Sequence, residues 1–185
     1  MYVVLLGPPG VGKGTLSLLL AKKLDVPSIS MGDIMRDHIK RKTPLGKKIQ
    51  AILASGGLVD DSTTIALFRE RIREPDCIKG FVSDGFPRTL AQAKALDLLV
   101  ALDGVLNLIA PNPEIIKRIT GRWTCPKDGT NYHTDYFPPK NDLKCDKCKT
   151  PLRQREDQKK EVVEKRLKVY LSITQRTETP KLTSK

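Results

Sequence analysis

Lys13 lies in the stretch GPPGVGKGT, residues 7–15, where its amine could neutralise the terminal phosphates of a nucleotide. Gly7, Gly12 and Lys13 are in register with the phosphate-binding loop G-x-x-x-x-G-K-[ST]. In such a loop backbone N–H groups converge on phosphate oxygens and a helix N-terminus adds its positive dipole end. Glycines let the backbone wrap that closely, so Gly10, Val11, Gly12 and Gly14 form the expected cradle. The hydroxyl that usually binds magnesium after the lysine is missing: Gly14 stands there, and the hydroxyl comes one residue late on Thr15. Another group must then place Mg²⁺, and Asp84, closing the apolar run GFVSD, is the candidate carboxylate, acting through water.

The stretch DGFPRTLAQA puts Arg88 and Gln92 four residues apart, on one face of a helix starting near Thr89. SMGDIMR puts Arg36 on a helix that opens near Asp33, where Asp33 can cap or complement the helix N-terminus. Arginines recur at element ends: Arg36, Arg88, Arg118, Arg122, Arg155 and Arg166. Guanidinium groups bind phosphate bidentately and do not deprotonate, which suits the handling of polyanions. A second constellation is C-x₂-D-x₁₆-C-x₂-C, formed by Cys125, Asp128, Cys145 and Cys148. Three thiolates and one carboxylate suit tetrahedral Zn²⁺ with no position left open for catalysis. His133 competes with Asp128 as fourth ligand, and the spacing favours Asp128. Cys77 stands alone, so the four cysteines form no disulfide framework and fit a reducing compartment.

These residues need elements to hold them. Tyr2 to Gly7 is a near-continuous apolar run that reads as a buried parallel strand. The helix after it carries Leu16, Leu19, Leu20 and Leu24 at helical spacing, which gives the loop its strand-to-helix context. Gly80–Asp84 and Gly104–Ala110 are two further short strands, separated by helical patterns that include Thr89–Leu102. Strands alternating with helices imply a parallel sheet covered on both faces. Two stretches interrupt the alternation. Gly32–Gly57 is helical and polar; Trp123–Pro151 is rich in Pro, Asp, Lys, Tyr and Cys. Both read as insertions. A helix resumes over Asp157–Ser172, with Val162, Val163, Leu167 and Val169 near one stripe, and the tail ITQRTETPKLTSK shows no strand.

The 185 residues suffice for one domain with insertions, and 39% hydrophobic with 29% charged residues marks a globular chain. No apolar run approaches the ~20 residues of a membrane span, and the N-terminus lacks a signal-peptide pattern. A cytoplasmic location is expected. The net charge of +12 is either a solvated lysine-rich surface or a demand for polyanions, nucleic acid or phosphorylated small molecules.

In order along the chain, G-x-P-G-x-G-K-G-T, GDIMR, GLVDD, DGFPRT with Gln92, Gly121–Arg122 and R-x-D…R-L from Arg155 to Leu167 resemble the adenylate kinases, within the nucleoside monophosphate kinase family. The resemblance covers residues 1 to about 175. It makes Gly14 a family feature, since the family's loop has glycine after the lysine and then threonine. It implies a three-layer α/β P-loop kinase fold with a parallel sheet. The core would be 1–29, 61–118 and 158–185, with an NMP-binding insertion at 30–60 and a zinc-bearing lid at 119–157. The implied reaction is reversible, Mg²⁺-dependent phosphoryl transfer from ATP to AMP, giving ADP, in a chain that is a monomer by family default. The family match also implies the roles. Lys13 and the loop amides, with Thr15, hold the donor phosphates, and Arg118 contacts the donor nucleotide. Asn131 and Tyr132 fall where lid residues approach the donor base. Arg36 and Arg88 hold the acceptor phosphate, while Arg122, Arg155 and Arg166 clamp the transferring group. Gly57, Leu58, Val59, Gly85 and Gln92 line the acceptor side, with Val59 backbone and Gln92 reading its base.

The chain departs from the family at Met31, which replaces a hydroxyl residue beside the acceptor adenine, and at Gln158, where the family has a second lid aspartate. The family's last strand and helix, beside the donor adenine, have no counterpart after the tail, so other nucleoside triphosphates are expected as donors. Met31 keeps open a monophosphate kinase with another acceptor base. A basic, zinc-containing nucleic-acid-binding P-loop ATPase is a further alternative, but it would leave DGFPRT with Gln92 unexplained.

Overall fold

The computed structural model describes residues 1–174; the reading of the tail as strandless lies outside them from residue 175. Strand β1 (Tyr2–Leu6) runs into the phosphate loop and helix α1 (Lys13–Leu24). Then come β2 (Ser28–Ser30), α2 (Met31–Lys40), α3 (Pro44–Ala54), α4 (Asp61–Arg71), β3 (Phe81–Asp84), α5 (Leu90–Asp97), β4 (Gly104–Asn107) and α6 (Asn112–Thr120). The antiparallel pair β5 (Arg122–Thr124) and β6 (Asn131–His133) belongs to the cysteine-bearing segment, and α7 (Lys160–Val169) follows it.

The main sheet is parallel throughout, in the order β2-β3-β1-β4. Successive side chains of a strand point to opposite faces, and β1 shows why this makes three layers. Val3 and Leu5 pack with Ala21, Leu16, Leu20 and Leu24 of α1. Val4 and Leu6 face the other way, into a core with Met35, Ile49, Phe68 and Leu96 from α2, α3, α4 and α5. Burying both faces explains the unbroken apolar run. Ile115 and Ile119 of α6 pack with Val163 and Leu167 of α7, so the expected stripe on the last helix closes a smaller core.

Three expectations need correction. Leu19 is 63% exposed; α1 lies against the sheet through the small, buried Ser17 and Ala21, which leaves room for leucines on only one flank. Strand β2 went unread because SIS is too short to show a period. The apolar run at Gly104–Ala110 forms a strand, but β4 pairs only with β1 among the described residues, and Leu106 is half-exposed. The helix read over Thr89–Leu102 ends by Leu98. No helix among the described residues is long and apolar enough to cross a membrane.

Candidate active site

The phosphate loop leaves the C-terminal end of β1, where parallel sheets present their ligand sites. Gly7, Gly10 and Gly12 all adopt positive φ, at 126°, 79° and 112°. Only glycine enters these conformations without strain, and they turn successive N–H groups into one concavity. Gly12 directly precedes α1, which contributes its N-terminus. Lys13 folds back over the loop and donates to the carbonyls of Gly7 (2.6 Å) and Pro8 (2.8 Å). Thr15 is exposed on the first turn. A Cβ placed on Gly14 would lie 3.4 Å from a carboxylate oxygen of Asp84. The space of the usual loop hydroxyl is thus bordered by the carboxylate at the end of β3. Arg118, on α6, donates to the Val11 carbonyl (3.2 Å) and pairs with Glu114 (2.7 Å).

The DGFPRT turn is held by buried contacts. Ser83 Oγ donates to the Phe86 carbonyl (2.8 Å), and the Phe86 ring stacks on Phe68 of α4 with centroids 4.1 Å apart. The Phe86–Pro87 peptide is cis. Thr89 caps α5, so Arg88 precedes the helix rather than sharing a face with Gln92. The two meet otherwise: the Arg88 N–H donates to Gln92 Oε1 (2.8 Å). The Arg88 guanidinium donates from Nε to the Gly85 carbonyl and lies so close that a Cβ on Gly85 would be 2.9 Å from Nη2. Arg36 lies over Gly32 in the same way and pairs with Asp33 (2.5 Å), whose N–H is capped by Ser30.

The arginines lie within electrostatic range of one another. Asp157 gives one carboxylate oxygen to Arg166 (2.9 Å) and the other to Arg155 Nε (3.3 Å, within ion-pair reach but poorly aligned for a hydrogen bond). Arg166 also donates to the Asp157 carbonyl. No hydrogen bond or ion pair to the Arg122 guanidinium occurs among the described residues. Burial, followed by charge interactions with neighbouring groups, lowers the pKa of Arg88, Arg122, Arg155 and Arg166. Each of the four feels Arg36 as a like charge and Asp157 as an opposite one, which places five guanidiniums within mutual electrostatic range. Like charges gathered this closely are stabilised by an anion between them. Gln158 accepts from the Arg155 N–H (2.9 Å) and leaves its buried Nε2 without a partner.

Gly57, Leu58 and Val59, expected on the acceptor side, lie in the link from α3 to α4. Met31 is 1% exposed and sits in the same core as Val59 and Met35. Its thioether is therefore packing material in this conformation, and not a group presented to the cleft.

In the lid segment the donor atoms of Cys125, Asp128, Cys145 and Cys148 all lie within 4.8 Å of one another. Cys125 Sγ is 3.4 Å from Cys148 Sγ, and Cys145 Sγ is 3.3 Å from an Asp128 oxygen. A tetrahedral site with Zn–S near 2.3 Å has ligand edges of about 3.8 Å, so the four donors need only small shifts. The two arms fold alike. Cys125 N donates to Thr130 O and accepts from Gly129 N at its own carbonyl; Cys145 does the same with Thr150 and Lys149. His133 stands apart from the cluster. Its Nδ1 accepts from the N–H of Asp135 and Tyr136, and its Nε2 faces the Lys117 carbonyl. Tyr132 is turned into the lid core, with its hydroxyl accepting from Asp146 N and touching Cys145 Sγ. Its hydroxyl is thereby committed to the lid core. Asn131 is exposed and accepts from Thr124 Oγ1.

A cavity of about 450 Å³ lined by Tyr2, Arg73, Cys77, Phe81 and Val100 lies at the N-terminal end of β1 and β3, away from the loop and the arginines. Burial pushes the Cys77 thiol up to about 11, so it is no nucleophile at neutral pH.

The adenylate kinase family model matches residues 5–177. The chain belongs to the adenylate kinase family. Curated adenylate kinases of comparable extent are similar to it. One from Archaeoglobus fulgidus is 47% identical, covering 95% of this chain and 83% of its own length. One from Finegoldia magna is 49% identical, covering 94% and 83%. One from Coxiella burnetii is 50% identical, covering 94% and 76%. The adenylate kinase reaction is reversible transfer of a phosphoryl group from Mg-ATP to AMP, giving two ADP.

Two contributions to the site could not be read from the sequence: the packing of Phe68 and the pairing of Asp61, which closes GLVDD, with Gln92. Phe68, which supports the turn through Phe86, lies in an unremarkable helix. Asp61, which accepts from Thr89 Oγ1 (2.9 Å) and Gln92 Nε2 (2.8 Å), is separated from Gln92 by thirty-one positions.

Proposed function

We propose that this chain carries out the adenylate kinase reaction by positioning and charge neutralisation, with an arginine clamp at its centre and no general base. The observation behind this reading is the cluster of Arg88, Arg122, Arg155 and Arg166, all within electrostatic range of Arg36 and Asp157, with Asp84 at the C-terminal end of β3 acting on Arg88 and Arg122. The acceptor is a phosphate with a second pKa near 6, an anion already at neutral pH. The work left is to hold two polyanions in line and to neutralise charge spreading over the transferring group. His38 and His133 are tied to Thr43 and to the lid backbone, and have no part in it.

In this reading Lys13 leaves the loop carbonyls for the donor phosphates, and the loop amides and α1 N-terminus bind the phosphate chain. Arg118 steadies the loop through the Val11 carbonyl and meets the donor nucleotide. Arg36 and Arg88 take the acceptor phosphate. Arg122, Arg155 and Arg166 close on the transferring group, the last two already spaced by Asp157. Asp84 faces the first turn of α1 and would hold Mg²⁺ through water; the bound cation supplies charge neutralisation at the donor phosphates. The core is residues 1–29, 61–118 and onward from 158; 30–60 is the acceptor-binding insertion and 119–157 the lid. Closure of both excludes water, the competing acceptor. The positive charge serves nucleotide phosphates in place of nucleic acid. With saturating Mg-ATP, ATP should be consumed only when AMP is present, with two ADP formed for each ATP lost. ATP hydrolysis at a similar rate without AMP would mean that the cleft activates water instead.

Cys125, Asp128, Cys145 and Cys148 fit one structural Zn²⁺, with Asp128 preferred over His133. The cluster has its own small lid core, with Tyr132 and Leu152, while the main core lies elsewhere. Removing the metal should therefore loosen the lid without unfolding the sheet. Metal analysis should give one zinc per chain, weakened by Asp128→Ala and retained or strengthened by Asp128→Cys, thiolate being the softer ligand. Loss of zinc in His133→Ala with full retention in Asp128→Ala would transfer the role to His133.

A further inference from the structure

Gln92, the residue read above as facing the acceptor base, does not have a freely turning amide. It is 2% exposed, its Oε1 accepts the Arg88 N–H, and its Nε2 donates to Asp61 Oδ1. Asp61 opens α4, and the same oxygen accepts from Thr89 Oγ1, which in turn caps the Gln92 N–H (3.2 Å). A backbone N–H can only donate, and an ionised carboxylate can only accept. Between these two fixed polarities the amide has one orientation. Each end keeps a single vacancy, one lone pair on Oε1 and one N–H on Nε2.

We infer that Asp61 is a specificity-determining positioning residue, which fixes the amide of Gln92 so that its remaining acceptor and donor match adenine. The inference rests on the reading of Gln92 as a base contact. Adenine offers an N6 donor beside an N1 acceptor, which meets a free Oε1 beside a free Nε2–H. Guanine offers O6 and N1–H, the reverse pair, and would need the amide turned over. Turning it would point Nε2 at the Arg88 N–H and Oε1 at the Asp61 carboxylate, two donors together and two acceptors together. Selectivity for adenine thus comes from the cost of that rotation, set by a residue that need not touch the base. α4 braces the turn at two points, through Phe68 on Phe86 and through Asp61 on Gln92.

The experiment measures kcat/KM for AMP and for GMP, with Mg-ATP saturating, in the full chain. Asp61→Ala should lower the AMP/GMP ratio at least ~10-fold, because the amide, held only by the Arg88 N–H, turns over at lower cost and penalises the wrong base less. Asp61→Asn, which keeps an acceptor oxygen, should restore most of the ratio, and KM for ATP should stay unchanged in both. If Asp61→Ala does not fold, Asp61→Ser pulls the oxygen back by one bond, out of reach of Gln92 Nε2, while keeping a polar helix start, and is read the same way. An unchanged ratio in the alanine or serine variant, together with a lowered ratio in Gln92→Leu, would overturn the role of Asp61 and leave that of Gln92 standing. An unchanged ratio in Gln92→Leu would show that the base reading is wrong, and the inference falls with it.

Discussion

Arg122→Ala should lower kcat by about 10³-fold or more and leave KM for both nucleotides within about threefold, the pattern of a contact made in the transition state. Arg122 differs from its neighbours in being uncommitted. Arg36 is paired with Asp33, Arg88 with the Gly85 carbonyl, and Arg155 and Arg166 with Asp157. The Arg122 guanidinium has no such partner among the described residues, and burial and Arg155 both lower its pKa. A desolvated cation whose compensating carboxylates, Asp157 and Asp84, act on it without a direct ion pair gains most where negative charge is spread and mobile, on the phosphoryl group between its two oxygens. It stands at the start of β5, directly after α6, where the proposed lid joins the core. Steady-state kinetics on the variant, with the melting transition as a control for folding, reads the effect. A large rise in KM for ATP or AMP at unchanged kcat would move Arg122 to ground-state binding.

The phosphate loop was the most legible part of this molecule. It is local, its glycines are forced by positive φ, and its strand and helix flank it directly. The metal cluster was legible for the same reason: ligands two residues apart fold into near-identical knuckles, and only the pairing of arms had to come from the fold. The arginines could be listed from sequence but not sorted. Nothing in residues 118–166 distinguishes the uncommitted Arg122 from Arg155 and Arg166, which share Asp157. For Met31 and Tyr132 the family resemblance supplies positions and not rotamers. Both side chains are buried in local cores, Met31 with Val59 and Tyr132 beside the cysteines. Leu19 shows the limit of periodicity: four leucines at helical spacing fit two possible faces, and the close approach of Ser17 and Ala21 to the sheet decides between them.

The central claim is that guanidinium geometry, and not positive charge as such, performs the transfer. Arg88→Lys separates the two, because lysine keeps the charge and loses the planar fork. Arg88 suits the test. Its backbone is fixed by Gln92 and its turn by Ser83 and by the Phe86–Phe68 stack, so the substitution should not disturb the frame. Its Nε is held by the Gly85 carbonyl, which leaves the other two nitrogens to present a preset pair of donors. An ammonium at this position would be one to two ångströms short and free to rotate, on the order of the misplacement that costs ~10²-fold in rate. The decisive measurement is kcat of Arg88→Lys at saturating Mg-ATP and AMP. The expected result is a fall of at least ~100-fold, the scale of losing one preorganised donor, with an unchanged melting transition and unchanged KM for ATP. A kcat near that of the parent enzyme would contradict the claim, since charge alone would then suffice.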